Sequence, residues 1–325
     1  MHTSKQDRVR LCDPRSVVLL AITTLLATLL GVAVERRWSK SAQNLSSRLL
    51  EAIVFLLLPV IIFFTVIELK VTSSIGAGLG FGWVERLVVF GLAWLIGTKV
   101  LRLTRPETGA VMTTASLANT GYLGIPLVGL MLGNDKIGLA VTYDTVVNAP
   151  AVVLLGFGIG AAFGTKAGDT RAQRMKAFIV RNPPLYALIL ALALPSSIAP
   201  SWGSDLAHIL ALGIAPLGFF ALGVNLMLEH EETGVRIFPP PLSAPVATAL
   251  LLRCIVAPAV MALLWVTVIR FPPAFLMEAA MASGINSLVV AHVYGLDMRI
   301  TVGAITWSTA LVLAVAAVIE LTGGF

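Results

Sequence analysis

Charge is what this sequence has least of. Asp, Glu, Lys and Arg together make up 12% of its 325 residues, where soluble domains carry about a quarter. With 57% of residues apolar and a mean hydropathy of +0.91, there is more apolar side chain than one core can hide. An ordinary water-soluble enzyme, a disordered chain and a nucleic-acid binder are excluded on this ground. Cysteine is equally scarce: Cys12 lies in an N-terminal tail and Cys254 in an apolar stretch, so no disulfide framework or metal knuckle can be built. Histidine gives no metal site either. His2, His208, His230 and His292 are scattered and never paired at ligand spacing. His230-Glu231-Glu232 lacks the second histidine of a zinc-protease motif and reads as solvated charge in a loop. No metal and no organic cofactor is expected. An intramembrane enzyme would need a nucleophile with its base, or metal ligands, at depth, and the spans hold no such set.

What the sequence does have is long apolar runs. A spanning helix needs about 20 mostly apolar residues, and ten stretches qualify: 17–34, 49–67, 79–101, 108–132, 137–162, 183–199, 206–228, 244–269, 274–294 and 300–321. The sixth has a clean run only to Pro195, and its start is marked by Pro183 and Pro184, which suit a first helical turn. The net charge of +6 is a topology signal. Lys and Arg are in excess on the loops after the first, third and fifth stretches, which puts those loops in the cytoplasm and both termini outside. The reading is therefore a multi-pass protein of a plasma membrane, as in a bacterial inner membrane. Residues 1–16 form a tail, 164–182 a basic cytoplasmic linker, and 17–163 and 183–325 two halves.

The halves echo each other. Gly133-Asn134-Asp135 matches Gly295-Leu296-Asp297, and both follow stretches rich in small residues. The segment around Pro59 (LLLPVIIFF) echoes the one around Pro216 (GIAPLGFF). Five is an odd number of crossings, so a duplicated five-helix unit re-enters from the opposite face and the repeats are inverted. Inverted repeats with helices interrupted at matching places point to secondary transporters, with the substrate at the interruptions.

The first interruption is explicit in Asn119-Thr120-Gly121-Tyr122-Leu123-Gly124-Ile125-Pro126. Pro126 removes a backbone donor and crowds the preceding turn. Gly121 and Gly124 permit conformations that other residues resist. Freed backbone groups are tolerated in a membrane only where protein buries them or a wet cavity meets them. The half-helix that starts after the break aims a partial positive charge there, favouring an anion. Asn119 offers a carbonyl and an amide to the freed backbone or to a ligand. The matching place in the second half is Ser283-Gly284-Ile285-Asn286, with Asn286 in the Asn119 role and no proline.

These residues resemble a known family. ASLANTGYLGIPL, the LGND turn and VTYDTVVN are similar to the fourth and fifth helices of the auxin efflux carrier family, within the bile acid/sodium symporter-like superfamily. SGINSLVVAHVYGLD and TWSTALVLAV resemble its ninth and tenth helices. The resemblance covers essentially the whole chain. It implies an all-α membrane fold of about ten helices, with a scaffold of helices 1, 2, 6 and 7 and a transport domain of helices 3–5 and 8–10. It also implies that helices 4 and 9 cross at unwound midpoints with substrate beside the crossing. Many relatives carry a proline near Ala282–Ser283; this chain does not.

A charged group near the bilayer centre costs a few kcal/mol even on lenient scales, so each survivor needs a reason. Asp144 lies about two turns into the fifth stretch with Asn148 one turn later on the same face, where a coupling proton or Na⁺ would bind. Arg253, well inside the eighth stretch, is a counter-charge for an anion, a partner for Asp144, or a snorkelling side chain. Glu278, shortly before Gly284, is a second candidate to face the cavity. Glu85 and Arg86 are consecutive and so point to separate partners or to the interface. Glu51, Glu68, Glu320 and His292 fall near stretch ends and read as interfacial. Gly156, Gly160 and Gly164 form a small-residue stripe for close helix packing.

The expectation is a secondary carrier for a small organic anion, a carboxylate such as malate, malonate or an auxin-like acid. Asn119, Thr120, Gly121, Asn148, Gly284 and Asn286 are its substrate-binding candidates. The alternative is a membrane sensor or receptor that keeps the carrier scaffold. The expected partners are the anion and the lipid bilayer, with a homodimer compatible and no nucleic acid.

Overall fold

The computed structural model describes residues 15–67, 73–133, 136–200, 202–233 and 239–322. All but the last two residues of the N-terminal tail lie outside this set, as do Glu68 and the Asn134-Asp135 part of the repeat match. Among the described residues there is helix and no strand, apart from one isolated backbone bridge between Ala118 and Ser283. In chain order the helices are α1 (Arg15–Arg37), α2 (Ser39–Ile67) and α3 (Ser73–Leu95, prolonged by a π-turn Ile96–Val100). Then come α4 (Arg105–Ser116), α5 (Thr120–Leu132) and α6 (Ile137–Phe163). A polar pair of turns leads to α7 (Arg171–Val180), α8 (Pro183–Ala193) and α9 (Gly203–Thr233). The chain ends with α10 (Ala244–Thr267), α11 (Pro273–Ala279), α12 (Asn286–Tyr294) and α13 (Met298–Leu321).

Among the described residues, five helices are individually long and apolar enough to cross a bilayer, and six if α7 and α8, bent by 63°, count as one span. The fourth and ninth apolar stretches fall short of that length because each is broken, at 117–119 and at 280–285. Three other expectations are corrected. The second helix starts at Ser39, ten residues early, because Ala42, Ser46 and Leu50 give its first part a buried face. The basic linker is not all loop: Thr170 and Gln173 form a reciprocal capping box that starts α7 inside it. His230-Glu231-Glu232 is helical, in the last turn of α9, and not a loop.

Prolines set a recurring distortion. Four π-turns, Ile53–Leu57, Thr120–Gly124, Asp144–Asn148 and Leu252–Val256, each end two residues before a proline: Pro59, Pro126, Pro150 and Pro258. A proline inside a helix has no N–H to donate and its ring pushes on the carbonyl four residues back, so the preceding turn widens. Three of those widened turns carry Thr120, Asp144 and Arg253.

Glycine permits the closest packing. A Cβ on Gly31 of α1 would strike the carbonyl of Phe220 on α9, and one on Gly223 of α9 would strike that of Thr28 on α1. The Gly156/Gly160/Gly164 stripe of α6 lies against Leu117, Val290 and Tyr294, as close-packing glycines do. Gly133 after α5 and Gly295 after α12 both take positive φ, 101° and 74°, but only Gly295 is a left-handed cap, since ψ is 151° at Gly133 and 51° at Gly295.

Candidate functional site

The two breaks meet. Asn119 donates its N–H to the Ala282 carbonyl (2.7 Å) and Gly284 donates to Leu117 (2.8 Å), around the Ala118–Ser283 bridge. Each break thus satisfies part of the other's freed backbone, as burial without water requires. A Cβ on Gly284 would sit 2.9 Å from the Ala118 oxygen, so only glycine lets the two strands of backbone approach this closely. Ser283 seals the join from behind: its N–H donates to the Ser308 hydroxyl (3.0 Å) and its own hydroxyl donates to Thr114 (2.7 Å). The second break therefore needs no proline. It spans six residues, twice the three of the first.

Beside the crossing lies a cavity of about 930 Å³. Its lining at the crossing includes Asn119, Gly121, Asp144, Thr145, Asn148 and Asn286, and its apolar flanks include Leu58, Ile61, Phe64, Ile125, Val141 and Phe219. The side chain of Asn119 is 2% exposed and neither its oxygen nor its nitrogen has a hydrogen-bond partner. The carboxamide oxygen of Asn286 and the Thr145 hydroxyl are also without partners. Unsatisfied buried polar groups cost about 1–3 kcal/mol each, so a cluster of them in residues lining one cavity calls for an explanation. The N-termini of α5 and α12 begin at this same point, adding two partial positive charges.

Asp144 is the acidic side chain in the lining, and no basic one lines the cavity among the described residues. Its Oδ1 accepts from the Thr120 hydroxyl and from the Asn148 amide (3.0 Å). Asn148 in turn accepts from Arg86 (3.2 Å), whose other terminal nitrogen donates to the Ser116 carbonyl.

The remaining candidates stand behind the lining. Thr120 is fully buried and reaches the cavity only through Asp144. Ser283 and Gly284 serve the backbone join, and Gly124 packs so tightly that a Cβ would overlap the Glu278 carboxylate. Glu278 is fully buried, with neither oxygen hydrogen-bonded, and does not face the cavity as expected. Arg253 neither snorkels nor pairs with Asp144. It is fully buried, 3.4 Å from Glu85, and donates to the carbonyls of Ala115 (3.3 Å) and Ala279. Those are near the C-terminal ends of α4 and α11, where a guanidinium complements the negative end of a helix. Glu85 and Arg86 do meet separate partners, but both are fully buried rather than interfacial.

Sequence reasoning missed Thr145, Thr65, Tyr122 and Pro216 among the lining residues. A readable signal existed for two: Thr145 sits next to Asp144, and Pro216 interrupts α9.

With this geometry in view, comparison with known proteins decides the family. The sequence profile for the membrane transport protein family matches residues 16–163 and 172–320. The chain belongs to the auxin efflux carrier family. It is also 27% identical over 235 residues to a protein named as an uncharacterized transporter of Methanocaldococcus jannaschii, covering 70% of this chain and 72% of that one. The protein is a multi-pass membrane transporter. In that setting the exposed apolar faces of its helices, such as Leu25, Leu29, Ile255 and Val266, are lipid-facing surface.

Proposed function

We propose that this transporter is a secondary-active carrier of a small organic anion. It would work by alternating access in a plasma membrane, with ten spans arranged as two inverted five-helix repeats. The carrying observation is that Asn119 and Asn286, from two broken helices, both line one cavity and both keep buried carboxamide atoms without a partner. A carboxylate there would accept from the Asn119 amide and lie at the N-termini of α5 and α12. Asp144 supplies the coupling: a negative substrate beside a carboxylate is repelled, so a proton or Na⁺ at Asp144 would travel with it. The positive-φ glycines that close α5 and α12 support the repeat. The bundle of α3–α6 and α10–α13 would move against α1, α2, α8 and α9, whose α1–α9 pair is locked by Gly31 and Gly223.

The test is exchange in proteoliposomes across malate, malonate and indole-3-acetate, with and without a pH or Na⁺ gradient. Saturable exchange of at least one carboxylate, driven uphill by one gradient, is expected. Asp144→Asn should abolish uphill accumulation and keep part of the exchange. Unchanged accumulation in that variant removes the coupling role, and no exchange of any carboxylate removes the anion reading.

A further inference from the structure

The first break is straddled by a chain of side chains that starts and ends on it. Ser116 is the last residue of α4 and Thr120 the first of α5. The Ser116 carbonyl accepts from one terminal nitrogen of Arg86, and the other donates to Asn148 Oδ1 (3.2 Å). Asn148 Nδ2 donates to Asp144 Oδ1 (3.0 Å), which also accepts from the Thr120 hydroxyl. Arg86 comes from α3, and Asn148 and Asp144 from the π-turn of α6, so neighbouring helices bridge what the backbone leaves open. Asp144 and Asn148 line the cavity; Arg86 does not.

We propose that Arg86 is a positioning residue that ties the charge at Asp144 to the geometry of the break. The inference rests on the reading of Asp144 as the coupling group. A carboxamide is polar in one direction: here its NH₂ meets a carboxylate and its oxygen meets a guanidinium. Removing the negative charge at Asp144 weakens the bond that holds the amide in this sense. Asn148 is then free to turn, and Arg86 loses one of its two side-chain anchors. What is left holding Arg86 is the Ser116 carbonyl, three residues from Asn119. Occupancy of Asp144 is therefore felt at the carboxamide that faces the substrate. Buried hydrogen-bond chains of this kind are cooperative, because each member is held by the next. Arg253 is the internal contrast: Glu85, Ala115 and Ala279 hold it, with no bond to the cavity carboxylate, so it fixes the crossing without reporting on the site.

The experiment is hydrogen–deuterium exchange on the full chain in detergent, read at the peptide covering 117–124. Within it, the Leu123 and Gly124 amides bond the Asn119 carbonyl at 3.2 and 3.1 Å. Wild type is compared with Asp144→Asn, Asn148→Leu, Arg86→Lys and the double variant Asp144→Asn/Asn148→Leu. Asp144→Asn and Asn148→Leu should each speed exchange there by about tenfold, and the double variant no further, because groups in one network do not add. Arg86→Lys keeps the charge but not the fork, and should fall between wild type and these variants. Exchange across the α1–α9 contact should stay unchanged in all of them, which general loosening would not allow. The proposal is overturned if Asp144→Asn leaves the 117–124 peptide unchanged, or if the two single effects multiply in the double variant. If Arg86→Lys does not fold, the Asp144/Asn148 pair still decides. Failure of the carrier reading shows separately, as wild-type proteoliposomes that exchange no carboxylate.

Discussion

The crossing has two faces that differ in what holds their polar groups, although Glu278, behind the lining, is as unpartnered as Asn119. Toward the cavity, Asn119, Asn286 and Thr145 keep polar atoms without partners. Behind it, Arg86 and Arg253 turn their terminal nitrogens to the Ser116, Ala115 and Ala279 carbonyls and to the side chains of Asn148 and Glu85. The rear face stabilises an arrangement in which two helices have each lost a turn of backbone bonding. The front face costs stability, since each unsatisfied buried polar group is unfavourable by about 1–3 kcal/mol. The difference teaches that the groups bracing the crossing and the unpartnered groups beside the cavity come from different helices: Arg86 and Arg253 from α3 and α10, Thr145 and Asn286 from α6 and α12.

That division can be broken from either side. The largest effect should come from behind. Arg253→Met leaves Glu85 as an uncompensated buried charge, and losing one partner of such a pair costs about 3–5 kcal/mol. Thermal melting in detergent should show a large loss of stability, or no folded protein. If Arg253→Met melts like wild type, the rear face is not what holds the crossing. The front face should respond in the opposite way. Asn119→Leu removes two unpartnered polar atoms and fits the cavity's apolar flank, so stability should hold or rise by about 1 kcal/mol. Substrate exchange should fall about ten- to hundredfold, since losing a hydrogen bond to a charged group costs roughly 1.5–3 kcal/mol. A variant that is both unstable and inactive would mean that the two faces are not separable.

Much of this contrast was legible in the sequence, and the rest was hidden for a definite reason. Breaks are written in local chemistry, so Gly121, Gly124, Pro126 and Gly284 announce them. Asn119 and Asn286 stand at the breaks and Asn148 one turn after Asp144, and all three line the cavity. The partners of Arg253 were not found, because Glu85 is 168 positions away and only the fold makes them neighbours. Glu278 was placed in the cavity on distance from Gly284 alone. Its side chain in fact packs under Gly124, a contact set by how α5 crosses α11 and invisible to spacing. Four of the six π-turns among the described residues were readable in principle, since each ends two residues before a proline.

The seam between the faces gives a smaller effect. Gly124→Ala pushes a methyl into the Glu278 carboxylate, and overpacking of this kind costs about 1–3 kcal/mol. Adding Glu278→Ala should relieve most of it, and the double variant should melt closer to wild type than Gly124→Ala alone. No relief would show that the strain lies in the backbone of α5 rather than in this contact.

The smallest effect tests whether the contrast is confined to the crossing. At the far end of α4, Thr104 and Glu107 form a capping box, in which the Glu107 carboxylate accepts from the Thr104 N–H (2.8 Å) and hydroxyl (2.6 Å). The Thr104 bonds hold the Glu107 carboxyl below its ordinary value, against a smaller opposing effect of burial. A depressed carboxyl contributes stability above its unfolded value, roughly pH 4.5, and that contribution fades as pH falls through the lower folded one. Thr104→Ala should therefore cost about 1 kcal/mol near neutral pH and less in acid. Melting curves at pH 7 and pH 4 read the difference, while carboxylate exchange at neutral pH should barely move. If exchange fell as far as it does in Asn119→Leu, the ends of α4 and the crossing would be one unit and the two-face division would be too sharp.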